Sequence, residues 1–217
     1  MTTTVLSTLA LKGVLEKLKP AGCDIKFDAT VAILASIEQG AKADAFILTD
    51  EAIETLRKQG RVAGVRELGS SGVGVAVKAG AAKPDIATLD AFKKSLLAAD
   101  SVAHSKVGAS GLYFAQILKD LGMDDKLKKR VIVEKGPVGL AVARGEAQIG
   151  IQQLCELAPV QGIDIVGGLP APLQKLTWFA AAVATDAADR KGAEAVMALL
   201  GSDAGRAAML AGRIDPA

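Results

Sequence analysis

The sequence predicts an α/β protein of two lobes with a hinged cleft between them. Three observations carry that expectation. Short β-branched runs alternate with amphipathic helical patterns along the 217-residue chain. Most of these runs pass straight into a small hydroxyl residue or a glycine. Two stretches rich in small residues and proline break the alternation, which is where a chain shared between lobes would cross from one to the other.

Taken in order, the strands are expected at 3–6, 24–29, 44–49, 72–78, 101–105, 130–134, 147–152, 163–166 and 176–184. Helical stripes fall between them. Leu11, Val14, Leu15 and Leu18 form one, stopped by Pro20, and Ile33, Leu34 and Ile37 form another, stopped by Gly40. Ile53 and Leu56 precede Gly60, while Leu112, Ala115, Leu118 and Leu121 share a face that ends at Gly122. Each has helical spacing and a glycine or proline stop, and the strand–helix alternation argues for mostly parallel sheets. The crossings are Lys78-Ala-Gly-Ala-Ala-Lys-Pro84 and Gly167-Gly-Leu-Pro-Ala-Pro172. They divide the chain into 1–79 plus 172–217 and 80–171; one continuous sheet with a proline-rich loop is the alternative.

Composition narrows the function. With 26 basic and 24 acidic residues, the formal charge is +2, and only Lys126 to Arg130 is densely basic. That run reads as a solvated helix end, and no nucleic-acid partner is expected. Aromatics make up only 3% of the chain, which disfavours base-stacking and sugar platforms. Cys23 and Cys155 lack metal or redox spacing, and a single His104 cannot build a zinc site, so neither metal nor cofactor is expected. No segment approaches the ~20 apolar residues of a membrane span, so no membrane insertion is expected. The first residues carry no leader pattern, which points to the cytoplasm as written and to the periplasm if a leader is removed.

The strand-to-helix loops point to the ligand. They hold Ser7 and Thr8, Thr30, Thr49, Ser105 with Ala109 and Ser110, and Val138 after Gly136-Pro137. A helix start carries unpaired N–H groups and roughly half a positive charge, so several starts aimed at one point make a receptacle for a small anion. Thr49 and Thr88 read first as plain N-caps, whereas Ser7 and Ser110 read as cleft residues. Ser70 is taken with the cleft set, beside Ser71, as either a lining or a close-packing residue.

The segment from Leu68-Gly-Ser-Ser-Gly-Val-Gly to Thr88 resembles the exit from the first lobe in molybdate-binding-like type 2 periplasmic binding proteins. Gly108-Ala-Ser-Gly-Leu-Tyr-Phe114, Val142-Ala-Arg-Gly-Glu-Ala-Gln-Ile-Gly-Ile-Gln-Gln153 and Gly168-Leu-Pro170 follow in the same order. The resemblance implies the two-lobed fold with its inter-lobe cleft. It also implies anion contacts from Ser7, Thr30, Ala109, Ser110, Val138, Gln152 and Gln153. The chain departs from the molybdate binders, which have a tyrosine on the strand that here carries Gln152 and Gln153. Amides both donate and accept, which suits carboxylates better than a bare oxyanion.

The family also includes a branch resembling aconitate isomerase, which moves a proton across an allylic tricarboxylate. Proton transfer of that kind needs an acid or base and anchors for carboxylates. His104, Lys12 and Glu156 are the candidate catalytic groups. Each has a plain alternative as a strand-end, solvated or capping residue. The expectation is therefore a binder of a small anion, a di- or tricarboxylate or an oxyanion, with a cofactor-free isomerase as the alternative. A transporter permease is a possible partner only if the protein is exported.

Overall fold

The computed structural model describes all residues 1–217. The chain forms two compact units, one of Met1–Ser71 with Thr177–Ala217, the other of Gly72–Leu176.

The first unit is built on strands β1 (Thr3–Thr8), β2 (Cys23–Asp28), β3 (Ala45–Thr49) and β9 (Leu176–Ala184), in the order β2-β1-β3-β9. β1 is parallel to both β2 and β3, with Ser7 opposite Phe27 and Ile47, while β9 is antiparallel to β3. Helices α1 (Lys12–Leu18), α2 (Thr30–Glu38) and α3 (Asp50–Lys58) follow the parallel strands. α8 (Arg190–Leu200) and α9 (Asp203–Ala211) complete this unit, with β10 (Asp215–Pro216) paired to Gly69 and Ser70. Ile33, Ile37, Ile53 and Leu56 pack on Leu6, Phe46 and Leu48 and on the alanines of β9. Small residues on β9 let the helices approach this sheet closely.

The second unit takes the end of β4 (Val62–Lys78), β5 (Val102–Ser105), β6 (Arg130–Val133) and β7 (Ile149–Gln153) in the order β4-β7-β5-β6. β5 is parallel to β6 and β7; β4 is antiparallel to β7 and to β8 (Ile163–Gly168). Its helices are α4 (Leu89–Ala98), α5 (Ala109–Asp120), α6 (Val138–Ala143) and the short α7 (Leu154–Leu157). Val102 packs with Phe92, Phe114, Ile117 and Leu118 on one face, and its neighbour Ala103 with Val138 and Val142 on the other. Successive strand residues point to opposite faces, so helices cover both sides of this sheet.

Four expectations change. The sheets are mixed, because β4 and β9 run against their neighbours. β4 begins ten residues before the expected Gly72; its exposed opening, Gly64 to Glu67, lacks the apolar alternation that marks a strand. On α5 the buried residues are Phe114, Ile117 and Leu118, while Leu112 faces solvent. Leu112, Ala115 and Leu118 have helical spacing too, but the bulkier Phe114 with Ile117 and Leu118 forms the stripe that fills the core. The basic run at 126–130 belongs to a turn and the start of β6, not to a helix end.

Candidate functional site

Parallel pairing brings the carboxyl ends of β1, β2 and β3 to one edge of the first sheet, since Thr8 lies opposite Asp28 and Ser7 opposite Ile47. The chain turns there into the 3-10 turn Leu9–Leu11 and into α2 and α3. In the second unit, Ser105 lies opposite Val133 and His104 opposite Ile151, so β5, β6 and β7 deliver α5, α6 and α7 to one edge likewise.

At these starts the N-cap position holds Thr8, Ala29, Thr49, Gly108, Pro137 or Gln153, and none makes a side-chain capping bond. The starts of α4, α8 and α9 are capped in the ordinary way. Thr88 accepts from Ala91 N–H, Asp189 from Gly192 N–H, and Ser202 from Gly205 N–H. Asp189 also accepts from the hydroxyl of Thr3, at the amino end of β1 and so at the opposite edge of that sheet. Capping satisfies a first-turn N–H and stabilises a helix by ~1 kcal/mol. That stabilisation is forgone at the starts of α2, α3 and α5.

In the first unit Ser7 is fully buried, and its hydroxyl donates to the Thr8 carbonyl at 3.2 Å. Thr8 and Ser70 are buried as well, while Thr30 and Thr49 are half-buried. Thr30 is the first residue of α2, one place inside its cap. Lys12 pairs with Glu16 on an exposed helix face. Ser71 donates to the Arg213 carbonyl at 2.7 Å, a packing role.

In the second unit the Ser105 hydroxyl accepts from Gly108 N–H at 2.9 Å, holding the turn into α5. Ser110 is buried in the first turn of that helix. Gly111 makes this approach possible, because a Cβ there would lie 2.1 Å from the Ser105 carbonyl oxygen. Gln152 is committed at both ends: its carbonyl accepts from Val138 N–H at 2.7 Å and its amide donates to Glu156. It therefore caps α6 from the neighbouring strand and orders Val138, instead of presenting a bare amide. Gln153 is buried beside it.

Burial pushes the Glu156 carboxyl above the usual carboxylate range, and the Gln152 bond opposes that rise. His104 is buried edge-on against Phe114, with both ring nitrogens near partners: Nδ1 lies 3.0 Å from the Ser105 carbonyl and Nε2 3.1 Å from Arg130 Nη2. All three candidate proton carriers are engaged by protein groups, Glu156 by Gln152, His104 by the Ser105 carbonyl and Arg130, and Lys12 by Glu16; of the three, Glu156 is the one whose pKa burial raises. Cys155 is buried and Cys23 half-buried, and neither is in a disulfide. No group of three or more His, Cys, Asp or Glu is arranged to hold a metal.

The family model described as bacterial extracellular solute-binding protein matches residues 15–211. The chain belongs to this solute-binding protein family. A relative, the aconitate isomerase of a Pseudomonas species, is 38% identical over 223 aligned residues, covering 95% of this chain and 85% of that protein. Among solved structures, the periplasmic molybdate-binding protein of Azotobacter vinelandii superposes with a TM-score of 0.75 at 23% identity, covering 98% of each chain. The sulfate-binding protein of Mycobacterium tuberculosis gives 0.66 at 14% identity, covering 100% of this chain and 87% of that one. At such identities these likenesses establish the fold, that of the periplasmic binding proteins. No helix is long and apolar enough to cross a membrane.

Proposed function

We propose that this solute-binding family member binds a small multi-carboxylate anion through the uncapped helix starts and buried hydroxyls at the strand ends of its two units. One observation carries the reading: α2, α3 and α5, which start where parallel strands end, lack side-chain caps, while α4, α8 and α9 have them. Unpaired first-turn amides next to buried hydroxyls suit a negatively charged guest that accepts from both. The donors proposed are Ser7, Thr8, Thr30, Thr49 and Ser70 in the first unit, and Ser105, Ala109, Ser110 and Gln153 in the second. Val138 and Gln152 support them as an internally bonded pair. The reading requires one guest to draw on both sets.

A carboxylate is favoured over an inorganic oxyanion by the extensive identity to an aconitate isomerase. That same relative supports a second reading, isomerisation of an allylic tricarboxylate. Glu156 is then the proton carrier, since burial makes its carboxyl hold a proton closer to neutrality than an exposed glutamate does. Location and partners follow from which reading holds. A solute-binding protein acts in the periplasm and hands its guest to a transporter permease; a cytoplasmic isomerase needs neither.

Thermal melting against citrate, cis- and trans-aconitate, succinate, sulfate and molybdate tests the proposal. A tricarboxylate should raise the melting temperature with concentration, by an amount equivalent to ~2.7 kcal/mol at a hundredfold excess over Kd. Ser110→Ala and Ser7→Ala should each weaken binding about tenfold, the loss of one hydrogen bond to a charged group. No response to any anion overturns it. Incubating cis-aconitate in D₂O separates the readings: deuterium uptake that Glu156→Gln abolishes establishes the isomerase, and tight binding without exchange establishes the binder.

A further inference from the structure

His104 stands between a cation and the turn assigned to the anion. It is the third residue of β5, and Ser105, next along, is the last. A guanidinium can only donate, so Arg130 Nη2–H makes Nε2 of His104 the acceptor and leaves the ring hydrogen on Nδ1. That Nδ1–H then donates to the Ser105 carbonyl at 3.0 Å. Ser105 in turn fixes the turn in two ways: its hydroxyl takes the Gly108 N–H, and its carbonyl lies against Gly111 of α5.

Arg130 is itself held by Asp124 at 2.7 Å. Its Nε is buried without a partner, a state that costs ~1–3 kcal/mol, so bonds at the guanidinium tip dictate its placement. The charged groups that face the ring are Arg130 on β6 and Asp124 in the turn after α5. Phe114 on α5 and Ile151 opposite on β7 are apolar.

We infer that His104 is a positioning residue: as a neutral imidazole wedged between Arg130 and the Ser105 carbonyl, it sets the Ser105–Ser110 turn for anion binding, and protonation releases that turn. The inference rests on the proposed role of this turn. Burial lowers the His104 pKa below its ordinary value, the Ser105 carbonyl opposes this, and the Arg130 charge adds to the lowering. The ring is therefore neutral at pH 7 and charges only on acidification. An Nε2–H would then face Arg130 with no acceptor to offer it, and the repulsion between the two cations turns the ring away from Arg130 and draws its Nδ1–H off the Ser105 carbonyl. Acidification thus weakens anion binding, the reverse of what added positive charge alone does.

The test uses the full chain labelled with ¹⁵N. Without ligand, the Gly108 and Ser110 amide shifts should follow the His104 ring titration as the pH falls from about 7 through the range below the ordinary histidine value. In His104→Asn, which keeps a donor for the Ser105 carbonyl but does not titrate, those shifts should stay flat. With trans-aconitate as the calorimetric probe, wild-type affinity should fall about tenfold or more over the same range, and that of His104→Asn should not. Amide shifts that ignore the ring, or a His104→Asn variant with the wild-type pH profile, overturn the inference. If trans-aconitate binds at no pH, the proposed function fails, while the ligand-free titration still decides the role of His104.

Discussion

Replacing Gly111 with alanine tests how closely α5 must approach β5. The added Cβ would lie 2.1 Å from the Ser105 carbonyl oxygen and 2.7 Å from its carbon, against 3.4–4 Å for ordinary contact. Both are backbone atoms, so no side chain can rotate away; the helix start and strand end must separate by roughly 1 Å. Alanine gains about 0.5–1 kcal/mol in helix propensity, and overpacking costs about 1–3 kcal/mol; with both close atoms in the backbone the cost lies at the upper end, so a net loss of about 2 kcal/mol is expected. The same separation carries the Ala109 and Ser110 amides out of place, so trans-aconitate affinity should fall more than stability alone explains. Gly122→Ala is the control. That glycine has φ +60° with nothing within 4 Å, so alanine there strains the backbone at a cost of about 1 kcal/mol without moving the helix start. Urea unfolding and calorimetric titration of both variants read the two effects separately. A Gly111→Ala variant as stable as wild type, with unchanged affinity, would refute the reasoning.

Other expectations concern the supporting structure. Gln174 accepts from Val73 and Lys175 N–H and donates to the Val73 carbonyl, so Gln174→Ala should lower the urea-unfolding free energy by about 2–3 kcal/mol; a change below ~0.5 kcal/mol would contradict this. The raised Glu156 pKa means the folded chain binds a proton that the unfolded chain releases. Its contribution to stability is therefore present at low pH and lost as pH rises from the usual glutamate value through the raised one. Glu156→Gln should melt higher than wild type at about pH 8 and alike near pH 4, and parallel curves would refute the shift. Thr88→Ala should cost about 1 kcal/mol by thermal or urea unfolding and leave anion binding intact, whereas Thr49→Ala should cost well under that.

Much of the fold was legible because its strands are compact apolar runs with clear stops: the strand over 176–184 appears where the β-branched and alanine run predicts it. The opening of β4 was not, because Val65, Arg66 and Glu67 face water and carry no alternation. The buried stripe of α5 was misread, since Leu112 is as apolar as Phe114 and only tertiary packing separates them. At the site, sequence marks which loops hold hydroxyls but not which helix starts are capped. Thr49 and Thr88 look alike in sequence, yet only Thr88 takes an amide of its own helix. Nor does sequence place Gln152 between Val138 and Glu156, or His104 beside Arg130, because those partners come from other elements.

The central claim, that uncapped helix starts receive an anion, is met most directly by titrating ¹⁵N-labelled protein with trans-aconitate and following its backbone amides. The account predicts saturable shifts at Thr30, Asp50, Ala109 and Ser110, with the capped amides of Ala91, Gly192 and Gly205 unmoved. Shifts confined to the capped helices, or none that saturate, would contradict it.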